Sequence, residues 1–529
     1  MVTSLLLAAV ALAAPPVAET RGADAPARAR RDPSWDAWGE ARARGESGSL
    51  PSSEGGGAAP GPVSSRIIAG ADGRWVDGRL RLVGELEAFN GPLTGPAWTH
   101  GRTADPVPFS PPRDGSWTAL VLPRQARLTW RGPRLQASAG LESFAFGSGI
   151  LANDGRHDDD RWFGDAWSGS VMARARLGTT PWRPDEDKGA LRGLGLTLIA
   201  DQVVRDDNAV LARGDLARQV YGALGFGTRR MRSAVFAGHR WQRDFDQRFG
   251  DEAVTGPTTD ASASTLFLDA EGWTTRVVPM AAWVEAELLP SDGDHHLGVE
   301  AEVVHIRGTT TRLYNPETLG SPADVRSLGG LARVRWDHDP SRVTARLDAV
   351  YASGDNDPRD SVARTFTLHS DFNMGMLLFE QVLPWLGARA ADQLADPSLM
   401  AVPPDGLRHA IPQGGVHNTM ALAPAARWRP WEPVDVRFGA LLARGAGDVV
   451  DVNQSARSGG YNTSYSGASL DERGLGVELD AGVHARLPID RVGVVLAGVE
   501  GAVLRPGAAI AVPELGTPSL VRARLDLQW

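Results

Sequence analysis

The chain has 529 residues, 42% hydrophobic and 22% charged, with a formal net charge of -9 and a pI near 5.7. That balance argues against a nucleic-acid binder held by phosphate contacts, and the absence of cysteine excludes disulfide frameworks, cysteine-ligated metal and thiol catalysis. A mean hydropathy of -0.22 with 61 glycines and 17 tryptophans describes a chain without a long apolar helix but rich in turn formers and bulky aromatics.

The first element is the apolar run Leu5 to Ala14, closed by Ala11-Leu12-Ala13, the small-x-small pattern of a signal-peptidase site. It is too short for a spanning helix, which needs roughly 20 residues, so residues 1–14 read as an export signal. Residues 15–73 lack periodicity and are rich in Ala, Pro, Gly, Ser and Arg, which predicts a disordered linker.

From residue 74 to 529 the dominant signal has period two. Its clearest case sets Leu475, Val477, Leu479, Ala481, Val483, Ala485 and Leu487 against Gly476, Glu478, Asp480, Gly482, His484 and Arg486. Sixteen candidate strands follow, near 79–89, 117–130, 134–146, 167–177, 191–204, 216–227, 231–243, 277–289, 296–307, 327–337, 342–352, 416–428, 434–444, 474–487, 491–504 and 519–529. Many are about ten residues long, the length a tilted strand needs to cross a bilayer. Short turns such as Arg131-Gly132-Pro133, Asp339-Pro340-Ser341 and Pro488-Ile489-Asp490 alternate with long loops, as membrane barrels require and soluble sandwiches do not. Trp117, Trp130, Trp336, Trp428 and Trp529 fall near strand ends, where amphipathic rings sit at headgroup level. The fold expected is therefore all-β: an antiparallel transmembrane β-barrel of about 16 strands (14 to 18), in the Gram-negative outer membrane, with both termini periplasmic.

The longest loop, about 353–415, is expected outside the cell, and its run Met374 to Leu386 is too apolar to stand free in water. The spacing of Leu378, Val382 and Leu386 predicts a short helix kinked at Pro384. With Trp385 it would form a constriction or plug in the barrel mouth, or a lid for a partner protein. At the end of the chain Val521, Ala523, Leu525, Leu527 and Trp529 alternate up to a terminal aromatic residue. This pattern resembles the C-terminal signal read by the barrel-assembly machinery.

Two longer stretches carry a further resemblance. They are Phe144-Ala145-Phe146-Gly147-Ser148-Gly149-Ile150-Leu151-Ala152-Asn153-Asp154-Gly155, and Tyr351-Ala352-Ser353-Gly354-Asp355-Asn356-Asp357-Pro358 followed by His369 to Gly375. They resemble alginate-export-type porins and a related group of uncharacterised outer-membrane barrels. The resemblance implies a monomeric barrel conducting a solute; it transfers no sugar-binding residues.

On the strand faces opposite lipid lie Arg79, Arg81, Arg127, Arg174, Arg176, Arg333, Arg335, Arg346, Arg437, Arg486, Arg522 and Arg524, with Glu85, Glu87, Asp348, Glu478, Asp480 and Asp526 among them. In a barrel of this size these charges line an aqueous lumen and can set ion selectivity. They form either an arginine ladder guiding anionic or saccharide solutes, or cross-strand ion pairs that brace a wet wall. His157-Asp158-Asp159-Asp160 and Asp355 to Asp360 supply oxygen donors without EF-hand spacing and read as turns. No cofactor or metal is expected. No G-x-S-x-G elbow or H-E-x-x-H pair appears, so no enzyme is expected either. The function expected is passive passage of small hydrophilic solutes, with outer-membrane lipid and the assembly machinery as partners; the alternative is a non-conducting surface scaffold.

Overall fold

The structure, a computed structural model, describes residues 34–49, 63–94, 121–155, 162–164, 169–181, 193–209, 211, 214–228, 230–244, 274–289, 293–312, 322–357, 360–395, 415–458, 461–489 and 493–529. The export signal at 1–14, Trp117, the His157 to Asp160 cluster and residues 396–414 of the long loop lie outside them.

The strands in chain order are β1 (Ser34–Gly48), β2 (Val63–Trp75), β3 (Leu80–Thr94), β4 (Leu122–Arg131), β5 (Leu135–Ser143), β6 (Val171–Thr179), β7 (Leu194–Arg205), β8 (Leu216–Gly227), β9 (Met231–Arg243) and β10 (Thr274–Leu289). They continue through β11 (His295–Thr310), β12 (Ala323–His338), β13 (Val343–Ala352), the two-residue β14 (Val362–Ala363), β15 (Thr419–Trp431), β16 (Val434–Gly445), β17 (Gly474–Ile489), β18 (Gly493–Pro506) and β19 (Ser519–Gln528). Each long strand pairs antiparallel with its neighbours, and β1 joins both β2 and β19, so 18 strands close on themselves and leave no free edge. The short β14 lies parallel beside β12 and stands outside this ring.

All sixteen strands read from the sequence are present, and the excess over sixteen comes from β1 and β2. Both lie where composition predicts a linker. The reason is local: the outward positions Ala43, Gly45 and Ser47 of β1 are small, while Arg42, Arg44 and Glu46 point inward and are buried. A wall strand with small residues facing out carries no apolar alternation. The chain crosses to the next strand by short turns at one rim and by longer loops at the other. The exception is the β6–β7 connection, residues 180–193, which lies at the short-turn rim and breaks the strict alternation of lengths.

The distribution of side chains is inside out. Val477, Leu479, Val483 and Leu487 face outward and are exposed, while Glu478, Asp480 and His484 on the same strand are buried. Trp35, Trp130, Trp428, Trp431 and Trp529 are exposed at the short-turn ends of their strands, where an aromatic girdle belongs. Trp336 lies at the same rim on the outward face of β12, partly covered by His295 and His338, whose rings stack with centroids 5.7 Å from its own. Burial of charge with exposure of aliphatic side chains is stable only where lipid replaces water outside.

Candidate functional site

Two connections on the long-loop side pack inside the ring. The first is the β5–β6 connection, residues 144–170, whose described residues 144–155, 162–164, 169 and 170 include the buried Phe146, Ile150, Trp162 and Phe163. The second follows β13 and buries Phe366, Leu368, Phe372 and Met374, then a π-helical turn (Leu378–Val382) and α1 (Leu383–Ala395). Leu378, Val382 and Leu386 are fully buried, and Trp385 packs at the margin of the same apolar cluster with the Arg389 guanidinium 5.7 Å from its ring. Pro384 is the second residue of α1, directly after the π-helical turn, so it has no N–H to offer the carbonyls of that turn.

Carboxylates of the wall hold these segments by their backbone N–H groups. Glu478 on β17, wholly buried, accepts from Met376, Leu377 and Leu378 at 2.5, 2.8 and 2.7 Å. The chain can turn so tightly over it because Gly375 has φ +72° and no Cβ; one built there would meet a Glu478 oxygen at 2.6 Å. Glu302 on β11 accepts from Ser148 N–H at 2.6 Å, and Glu300 accepts from Ser148 Oγ at 2.8 Å and from Trp283 Nε1 at 2.9 Å.

Arginines of the wall hold the first of these connections by its carbonyls. Arg437 donates to the Trp162 carbonyl at 3.2 Å, Arg522 to that of Phe163 at 3.0 Å, and Arg66 to that of Gly155 at 3.4 Å. Arg124 donates to the Asp154 carbonyl. Arg346 and Arg427 place their guanidinium carbons 5.2 and 5.7 Å from the centre of the Trp162 ring. Such cation–π contacts gain strength where water is excluded.

Ten of the twelve arginines named from the sequence lie in ion pairs. Arg81 pairs with Asp72, Arg127 and Arg176 with Glu142, Arg174 with Asp201, Arg333 and Arg346 with Asp348, Arg335 with Asp337, Arg437 with Asp435, Arg522 with Glu46 and Glu500, and Arg524 with Glu500 and Asp526. Arg79 is not on the wall face: it ends the β2–β3 turn, whose Val76, Asp77 and Gly78 have positive φ, and it is exposed. Arg486 is exposed toward the short-turn end of β17. Asp480 lines a cavity of about 50 Å³ between the two packed connections, together with Arg346, Asp348, Asp371, Asn373 and Trp162.

Sequence reasoning misses the densest charge cluster, in which Arg66, Arg124 and Arg205 converge on Glu87 at 3.0, 2.7 and 3.8 Å, with Arg124 also 3.0 Å from Glu85. Arg66 lies in β2, read as linker; Arg124 follows Pro123 and sits at a register shift against β3. Asp355 and Asp360 serve as turn anchors, accepting from the N–H groups of Asp357 and Val362. A serine and a histidine do meet, Ser170 Oγ and His369 Nε2 at 2.9 Å, but His369 Nδ1 accepts the Asp371 N–H at 3.1 Å. The tautomer that accepts there carries its proton on Nε2, aimed at the hydroxyl, the reverse of the arrangement in which a base takes the hydroxyl proton.

No protein-family model and no curated protein matches the chain. Solved structures do match in fold. The chain is similar to the Pseudomonas aeruginosa protein OccK9 (OpdG), at 9% identity and TM-score 0.50, over 93% of this chain and 98% of that one. It is similar to Acinetobacter baumannii OccAB2 at 9% identity and TM-score 0.49, over 94% and 98%. For the outer membrane protein OprD of Pseudomonas aeruginosa the values are 8%, 0.47, 93% and 93%. The fold is that of a porin-like closed barrel, and no sequence match supports the alginate-export type.

Proposed function

We propose that the protein is an outer-membrane channel for passive passage of small hydrophilic solutes, anionic or saccharide. The observation that carries this is the wall itself: 18 strands closed without an edge, aliphatic outside and lined inside by paired charges. Rings of this strand number leave room for an aqueous path. The long loops face the outside of the cell and both chain ends face the periplasm, because the assembly route delivers short turns inward. The wall charges Arg81, Arg127, Arg174, Arg176, Arg333, Arg335, Arg346, Arg437, Arg522, Arg524, Glu478 and Asp480 border the path, and the 374–395 segment narrows it. The outward row Val521, Ala523, Leu525 and Leu527 of β19, with Trp529 after it, is what the assembly machinery recognises.

A second reading has an observation of its own. Met376 to Phe379, Val382 and Leu386 are buried in an apolar cluster inside the ring, which favours a closed barrel that displays its loops to a surface partner. Single-channel recording separates the two. Stable current whose reversal potential in asymmetric salt moves when Arg333→Gln removes one of the two arginines paired with Asp348 supports the channel. Barrels that insert and shift on heating in gels, yet pass no current, refute it.

A further inference from the structure

The arginines on the outer face of the wall are not spread evenly. On β8 to β12, five consecutive strands, Arg218, Arg243, Arg276, Arg307 and Arg326 are exposed on the outward face, all near the ends that join the long loops. The register makes them one patch. Arg218 and Arg276 both stand opposite Trp241, Arg243 opposite Leu216 and Thr274, and Arg307 opposite Val278 and Arg326. With strands about 4.8 Å apart, the patch is roughly 20 Å wide. Trp241 sits in its middle with its indole stacked on His239 at 4.1 Å. One acid shares this face, Asp324, 2.6 Å from Arg326. Among the described residues the guanidiniums of Arg276 and Arg307 make no hydrogen bond or ion pair. The corresponding outward positions on β1, β2, β13, β15 and β19 carry no arginine, and Arg444 on β16 and Arg505 on β18 stand apart from the patch.

The depth of the patch follows from β10. Below Arg276 its outward residues are Val278, Met280, Ala282, Val284, Ala286 and Leu288, an unbroken apolar row. Val278 to Leu288 covers about 33 Å along the strand at ~3.3 Å per residue, or about 25 Å along the membrane normal at a tilt of roughly 40°. That is the height of the hydrocarbon layer, so Arg276 lies at its upper boundary, where snorkelling guanidiniums and a tryptophan meet headgroups.

We propose that this face of β8 to β12 is a binding surface for phosphate-bearing lipid headgroups in the leaflet that meets the long loops. A guanidinium offers two parallel N–H donors to phosphate oxygens, and several within one headgroup's reach hold a phosphate in a way that isolated charges do not. The surface depends on the membrane embedding of the barrel and not on whether the lumen conducts.

The test uses the full-length barrel in detergent, with insertion into phosphatidylcholine vesicles checked by heat-modifiable mobility. Native mass spectrometry then compares retention of phosphatidic acid with that of phosphatidylcholine for three proteins: the unaltered chain, Arg276→Gln/Arg307→Gln, and Arg444→Gln/Arg505→Gln, which removes the same charge elsewhere on the outer face. The expected result is a preference for phosphatidic acid that falls about tenfold or more in the first variant and survives in the second. No preference in the unaltered chain, an undiminished preference in the first variant, or equal loss in both overturns the patch. A protein that fails to insert overturns the embedding itself.

Discussion

Replacing Glu478 by alanine tests how the 374–395 segment is held. In the native structure one buried carboxylate accepts three backbone N–H groups, from Met376, Leu377 and Leu378. Hydrogen bonds to a charged acceptor contribute about 1.5–3 kcal/mol each, and three donors sharing one carboxylate add less than fully, so their loss costs the docked segment about 3–6 kcal/mol. At 1.4 kcal/mol per decade the undocked population rises about 10²- to 10⁴-fold. The apolar packing of Leu378, Phe379, Val382 and Leu386 remains, so the segment is expected to leave and return and not to stay out. In planar bilayers Glu478→Ala should therefore show frequent steps to a larger conductance. Amide hydrogens of 376–382 should exchange faster by the same factor, while those of β17 keep their protection. Current records and exchange rates indistinguishable from the unaltered protein would refute the reasoning, because the carboxylate would then contribute nothing that water does not replace.

Three further outcomes follow from the same geometry. Gly375→Ala places a Cβ 2.6 Å from a Glu478 oxygen at φ +72°, costs about 1–3 kcal/mol, and should reproduce part of the Glu478→Ala phenotype; the double variant should be less than additive, read from the same exchange rates. Trp529 exchanges N–H and carbonyl with Gly39 at 3.0 and 2.9 Å and lays its indole over that glycine. Trp529→Ala should lower the folded fraction in cells several-fold while leaving refolding in detergent unchanged; equal loss in both assays would make the residue a packing element and not a recognition signal. At the head of the β7–β8 connection, burial alone would raise the Asp206 carboxyl, but the Arg240 guanidinium at 2.5 Å and the N–H groups of Asn208 and Ala209 outweigh it and hold the group below the ordinary carboxylate value. A depressed folded value means the stabilisation is present above about pH 4 and lost as pH falls through the folded value. The difference in thermal midpoint between the native chain and Asp206→Asn should thus shrink steadily below pH 4, and a constant difference down to pH 2 would contradict the assignment.

Most of the wall is legible in the sequence because each strand meets lipid on one face and charge on the other, and that contrast is written residue by residue, as in Val477 to Leu487. β1 escapes because Gly39 is reserved for the indole of Trp529 and its other outward residues from Ala37 to Ser47 are small. Its signature is the inward triplet Arg42, Arg44 and Glu46, a polar alternation with no apolar counterpart. The packed interior is less legible for a different reason. The apolar run from Met374 to Leu386 announces that it must be covered, but nothing local states that Glu478, over ninety residues later, supplies the acceptor. The carbonyls of Asp154, Gly155, Trp162 and Phe163 carry no side-chain signal at all.

The pairing of the arginines bears on how the channel would select. An arginine bonded to a neighbouring carboxylate contributes little net field at a distance, so counting guanidiniums on the inward face overstates the attraction for anions. Four of the wall arginines also hold chain: Arg66, Arg124, Arg437 and Arg522 each pair with a wall carboxylate and donate to a carbonyl of the 144–170 connection. Carboxylates take the complementary part, receiving N–H groups at Ser148 and at Met376 to Leu378. Charge inside this ring therefore acts first on the position of the two inward connections, and through them would set the width of the proposed path. Variants at these positions should change conductance and selectivity together, in proportion to how far the connections move, whereas removal of the exposed Arg486 should change selectivity alone.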